Sequence, residues 1–214
     1  MRTSVIWDRL NLNNVRFVSR ETLDQYAREL GKNPADSMKY LQRHGYIHRV
    51  LRGFFYVSDY KDLDRGGFEY SLQEMISEAM KVKNVKKWYF GLESALKLNL
   101  MTHEHFNIDY VITDSFRTTK TIEILKRPVR FYSWSGRIHI DGSLKQYRSK
   151  HGITIPYSDV EKTVLDLAYK TYIGRSGNVI DPVLEYREEC DPMKLRSYLM
   201  EYPPAFREMV GEPR

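Results

Sequence analysis

The side chains able to carry covalent or metal chemistry are few and poorly grouped. Asp109, Glu123 and Lys126 suggest the two carboxylates and lysine with which metal-dependent nucleases hold a magnesium ion. Glu123-Ile124-Leu125-Lys126 is one residue too long for that purpose, because a strand would send Glu123 and Lys126 to opposite faces. His103-Glu104-His105, with Asp109 nearby, offers two imidazoles and a carboxylate, but no other His or Cys lies close in sequence. A loop after a helix is the predicted setting, where both histidines are solvated. Cys190 stands among Glu188, Glu189 and Asp191, which raise a thiol pKa and argue against a nucleophile. On a helix, Glu161 and Asp166 do not share a face, and Lys162–Asp166 is an ordinary i,i+4 pair. Neither GxGxxG nor GxxxxGK[ST] occurs. The expectation is a protein without catalytic residues, metal or cofactor, a metal-dependent nuclease being the minor alternative.

Binding chemistry is better represented. The net charge of +6 is unevenly spread: residues 1–60 carry 10 basic against 6 acidic residues. Residues 115–150 carry 9 basic residues against Glu123 and Asp141, whereas from Asp181 onward 8 acidic residues face 5 basic ones. Such segregation points to a polyanionic partner, with a solvated charged surface as the plainer reading. Sixteen tyrosines interleave with basic residues, as in Arg130-Phe131-Tyr132-Ser133-Trp134. They suit either the stacking of exposed bases or a core of rings with charges in water.

The elements that must position these groups follow from caps and periodicity. Ser19 caps a helix bearing Leu23, Tyr26, Ala27 and Leu30, and Gly31 supplies the left-handed residue that ends it. Asn33-Pro34-Ala35-Asp36 opens a second helix that buries Met38 and Leu41 and stops at Gly45. Residues 46–51 and 54–57 read as strands joined at Arg52-Gly53, and a short opening helix places Trp7, Leu10 and Leu12 against them. Helix, glycine turn, helix and hairpin form the pattern of a winged helix-turn-helix. With Met38 and Leu41 inward, Ser37, Lys39, Tyr40 and Arg43 face out to meet base edges or phosphates, and Arg49 and Arg52 sit on the wing.

Residues 61–68, polar and carrying two adjacent glycines, read as a linker. Beyond it are predicted a helix over 70–82, a strand at 88–90, a helix over 92–98, and strands over 108–113, 119–125, 129–134 and 137–140. A helix capped by Ser158 or Asp159 and a final helix opened by Asp191-Pro192 complete the chain. The fold class expected is therefore α+β: a winged helix-turn-helix over 1–60, the linker 61–68, and a mixed α/β C-terminal domain over 69–214. No apolar run reaches the ~18–20 residues of a membrane span, and Asp8 and Arg9 interrupt any signal-peptide core. One cysteine excludes an internal disulfide. A cytoplasmic location is expected.

Four segments resemble one family in the right order. YLQRHGYIHRVLRGFFYVSD from Tyr40 is similar to the winged-helix opening of AbiE-type antitoxins of type IV toxin–antitoxin systems. YFGLESALKLNLMTHE from Tyr89, with Asn99-Leu100-Met101-Thr102 as a variant of the family's Leu-Thr segment, IDYVITD from Ile108 and VEKTVLDL from Val160 resemble its later elements. The likeness runs from about Ser19 to Tyr172 and leaves the acidic C-terminal stretch outside it. It implies an autorepressor that binds an operator in duplex DNA, such as an inverted repeat, and a C-terminal domain that counteracts a nucleotidyltransferase-like toxin. DNA contacts carry over to Lys39, Tyr40, Arg43, Arg49 and Arg52. The alternative is an RNA- or protein-binding module using a second basic surface of Arg117, Lys120, Lys126, Arg127, Arg130 and Arg137. Oligomeric state is left open.

Overall fold

Side-chain caps start both helices of the expected helix-turn-helix. The computed structural model describes residues 3–134, 138 and 142–211 and divides into two compact units. The first comprises the described residues up to Asn84 together with Ile124–Lys126. It begins with α1 (Ser4–Leu12), β1 (Phe17–Ser19), α2 (Arg20–Glu29) and α3 (Pro34–Arg43), and continues through β2 (Ile47–Leu51), β3 (Phe54–Val57), α4 (Tyr60–Arg65) and α5 (Leu72–Val82). Ser19 Oγ accepts from the Thr22 amide at 3.2 Å, and Asn33 Oδ1 accepts from the Ala35 and Asp36 amides at 2.9 and 3.2 Å. Each bond satisfies amides that the helix itself leaves unpaired. Between the helices Gly31 adopts φ +64°, where a side chain would be strained.

Ile6, Trp7, Leu10, Leu23, Ala27, Met38 and Leu41 bury together with Ile47, Phe55 and Val57 of the sheet. Trp7 Nε1 donates to the Ser58 carbonyl at 2.6 Å, so the indole enters the core with its one polar atom satisfied. Leu12, expected on this packed face, is instead 84% exposed, because α1 ends there and its last residue lies past the buried stripe of Ile6, Trp7 and Leu10. The sheet has the order β1-β3-β2 and is antiparallel throughout. Three helices followed by a strand hairpin, with a third short strand on its edge, is the winged helix-turn-helix arrangement.

The segment expected as a linker is ordered. Asp59 and Asp62 form a reciprocal capping box for α4, and buried Asp62 also accepts from the Tyr56 hydroxyl of β3. The chain therefore stays in the first unit through α5, which packs on β2, and the unit boundary falls near Asn84 instead of residue 60.

The second unit contains β4 (Trp88–Phe90), α6 (Leu92–Leu98), β5 (Asp109–Thr113) and β7 (Arg127–Ser133), then β8 (Leu144–Arg148), β9 (Thr154–Ser158) and α7 (Val160–Gly174). α8 (Asp181–Glu185), α9 (Pro192–Leu199) and α10 (Pro204–Val210) follow, so the Asp191-Pro192 helix is not the last. The strand expected over 119–125 is confined to β6 (Ile122–Ile124); the one expected over 137–140 lies outside the described residues. The sheet order is β6-β7-β5-β4-β9-β8, with β5–β7 and β4–β9 parallel and β4–β5 and β8–β9 antiparallel. Tyr89, Leu92 and Ile112 pack with Val164, Leu165 and Ala168 of α7 and with Leu195 and Phe206. At Gly91, between β4 and α6, a Cβ would meet Ile112 Cγ1 at 2.7 Å, so only glycine fits. The fold is α+β. No helix among the described residues is long and apolar enough to cross a membrane.

Candidate nucleic-acid interface

Helix geometry decides which α3 side chains are available to a ligand. Met38 and Leu41 bury, and Asp36, Lys39, Gln42 and Arg43 form the exposed side. Lys39 and Arg43, four residues apart, project from the same face about 6 Å apart along the axis. Two expected members of this surface lie elsewhere. Ser37 is 5% exposed: it precedes Met38 on the inner side of the helix and cannot reach a base. Tyr40 is half-buried, packed on the hydrophobic core with its ring 4.2 Å from that of His44. Gln42, which the apolar stripe alone did not single out, joins Lys39 by its i,i+3 spacing and presents an amide able to pair bidentately with adenine.

The wing is short and held at its tip. Leu51 pairs with Phe54, leaving Arg52-Gly53 as the turn, with Gly53 at φ +78°. The Arg20 amide, at the start of α2, donates to the Gly53 carbonyl at 2.9 Å. Lys83 Nζ, at the end of α5, donates to the Arg52 carbonyl at 2.8 Å. Lys83 thereby adds a cation to the wing, a role beyond the helix-dipole complement its position suggests. Arg49 and Arg52 are exposed. Among the described residues, none of Lys39, Arg43, Arg49 and Arg52 is ion-paired. Arg9, Arg16 and Arg20 of the same unit pair with Glu29, Asp59 and Asp24.

The residues of the second expected basic surface fall into different settings. Lys126 belongs to the first unit and Arg117, Lys120, Arg127 and Arg130 to the second; Arg137 lies outside the described residues. Arg117 and Lys120 are exposed, Arg127 pairs with Asp109 at 3.0 Å, and Arg130 lies half-buried with its guanidinium 4.9 Å from the Tyr132 ring centre. The Arg127 pair also occupies the carboxylate that a nuclease site would require. His103 and His105 are exposed in the loop after α6, the setting expected for them.

The second unit contains a polar cluster whose sequence spacing is that of an ordinary helix-surface pair. Lys162 and Asp166 are both fully buried and bonded to each other. Lys162 Nζ also donates to Tyr89 Oη at 2.8 Å and Tyr202 Oη at 3.1 Å. Those hydroxyls donate in turn to Asp166 Oδ2 at 2.8 Å and Oδ1 at 2.6 Å. Burial lowers the Lys162 pKa and raises that of Asp166, each opposed by the charge of its partner. All three ammonium donors have acceptors, so the amine has no free position for a substrate. The ring of bonds instead fastens α7 to β4 and to the turn between α9 and α10.

At the start of α7, Asp159 caps the helix, and Lys194 of α9 bridges Asp159 at 2.8 Å and Glu161 at 3.0 Å. Nearby Cys190 is buried, and its thiol pKa is pushed up to about 12 by burial and then by Glu161, Glu189 and Asp159. That is the direction expected from its acidic neighbours.

No family model matches the chain, and no curated protein matches it. Among solved structures, the crystal structure of the RV2827C protein from Mycobacterium tuberculosis is similar to it over 99% of this chain and 78% of that one, with a TM-score of 0.54 and 14% sequence identity. At that identity the likeness bears on the fold alone, and it agrees with an α+β chain.

Proposed function

We propose that this protein binds double-stranded DNA through α3 and the β2–β3 wing and acts as a sequence-specific transcriptional regulator in the cytoplasm. The observation that carries the reading is the set of exposed cations Lys39, Arg43, Arg49 and Arg52, which no carboxylate among the described residues neutralises within a winged-helix unit. Paired cations would bring little to a polyanion; unpaired ones can displace the counterions condensed on DNA. The resemblance to AbiE-type antitoxins extends the proposal to repression of its own operon. It also extends it to a C-terminal unit that counteracts a nucleotidyltransferase-like toxin. The protein acts by binding and not by catalysis.

The test is the salt dependence of binding to duplex DNA carrying its own upstream sequence. Replacing Arg43, Arg49 or Arg52 by Ala flattens the plot of log K against log [salt] by about 0.9 for each phosphate that the side chain had neutralised. A side chain that reads a base instead costs about 1–3 kcal/mol at its cognate pair and relaxes the preference there. Unchanged slope and affinity in all three variants would remove this interface.

A further inference from the structure

The edge strand β8 is exposed in a way that the core of its unit does not explain. Four of the five β8 residues are exposed, whereas every residue of the central strands β4 and β5 is buried. Residues 142–158, which span the hairpin, contain Lys145, Arg148 and Lys150 and not one Asp or Glu. All three cations are exposed.

Lys145 Nζ donates to Asn99 Oδ1 at 3.1 Å and Arg148 Nε to the Gly152 carbonyl at 3.2 Å. Those acceptors are neutral: they orient the cations and leave their charge intact. Among the described residues none of the three is ion-paired. The turn is built by Ser149, whose amide donates to the Ile153 carbonyl at 2.9 Å, and by Gly152 at φ +76°.

The register pairs Lys145 with Tyr157 and Arg148 with Thr154. An odd separation along a strand puts Lys145 and Arg148 on opposite faces of the sheet edge, and Lys150 lies in the turn at the end of the hairpin. β9 is an inner strand paired with β4, and its Ile155 is fully buried, so the open part of the hairpin is the β8 edge and the turn, where all three cations are exposed to an approaching phosphate backbone. We infer that the β8–β9 hairpin is a second contact to duplex DNA, with Lys145, Arg148 and Lys150 meeting phosphates. The partner is a phosphate backbone and not a base sequence, because the exposed hairpin offers point charges and a guanidinium already bonded to its own turn. This inference rests on the duplex-DNA reading of the first unit.

The test uses the full chain and a 30-base-pair duplex of unrelated sequence, with binding followed by fluorescence anisotropy across a salt series. The K145A/R148A/K150A variant should flatten the log–log slope by about 2.7, and Lys150→Ala alone by about 0.9. Lys150→Ala removes an exposed side chain at the hairpin tip, so its effect does not depend on refolding. Arg148→Lys keeps the charge and should keep the slope.

Parallel measurements on R43A/R49A/R52A separate the two readings. A flattened slope in that variant, with both hairpin variants at the wild-type value, overturns the hairpin contact and leaves the winged helix standing. Wild-type slopes in all variants overturn both. A loss seen in the hairpin variants only with single-stranded RNA, and not with the duplex, also overturns the inference.

Discussion

Replacing Lys162 by Met isolates the buried charge of Asp166 with little change in side-chain length. In the wild-type protein that carboxylate accepts from Lys162, Tyr89 and Tyr202 at zero exposure. The variant keeps the two hydroxyl donors and loses the countercharge. Breaking a buried pair from one side costs about 3–5 kcal/mol, because the surviving charge stays out of water. For a unit of this size that corresponds to a fall in Tm of roughly 10 °C or more.

The pH dependence gives the sharper check. Burial already raises the Asp166 pKa, and removing the ammonium raises it further. A carboxyl whose folded pKa exceeds its unfolded value binds more protons when folded, so stability increases as pH falls toward the unfolded value of about 3.9. Lys162→Met should therefore be least stable near neutral pH and should close much of its gap to the wild type on acidification. The assay is thermal or urea unfolding of both proteins at about pH 7 and about pH 5, a step in the direction in which a raised carboxyl takes up its proton. A variant as stable as the wild type at neutral pH, or a gap that widens on acidification, would refute the reasoning.

Two further perturbations test packing and reactivity. Gly91→Ala places a methyl group 2.7 Å from Ile112 Cγ1 and should lose about 1–3 kcal/mol in chemical denaturation, as overpacked cores do. An unchanged midpoint and slope would contradict that contact. Cys190, with its pKa pushed up to about 12, should resist alkylation at mildly alkaline pH in the folded protein and react promptly in denaturant; equal rates in both states would contradict its burial.

The parts of the fold legible in the sequence were those written in local chemistry. Ser19, Asn33, Asp159 and Asp191 each cap the helix expected of them, since a cap needs only an acceptor and the two or three residues after it. Met38 and Leu41 identify the inner side of α3 by spacing alone, and so Lys39 and Arg43 on its outer side. Ser37 shows the limit of that logic: the apolar stripe gives a direction, but the packing angle of the helix decides whether its flanking residue is covered.

Other features depended on partners distant in sequence. β1 is three residues long, too short for any alternation, and exists through its pairing with β3. α4 looks like a linker until Tyr56 buries Asp62. β8 carries no apolar period, because an edge strand exposed on both faces buries almost nothing. Lys162 and Asp166 have the spacing of a surface pair. Tyr89, 73 residues away from Lys162, and Tyr202, 40 residues away, make them a core pair instead. The signal available was the mixing of Glu161, Lys162 and Asp166 among Val160, Val164, Leu165, Leu167 and Ala168, where an ordinary amphipathic helix would have placed its charges in water.

The proposed function rests on specific recognition of duplex DNA by the winged-helix unit. Gel-shift binding of the full chain to the DNA upstream of its own gene, against a scrambled duplex and the matching single strands at two salt concentrations, tests it most directly. At the higher salt only the native duplex should remain bound, because base contacts persist where phosphate contacts have been screened. Equal binding to all of these probes, lost together as salt rises, would contradict it.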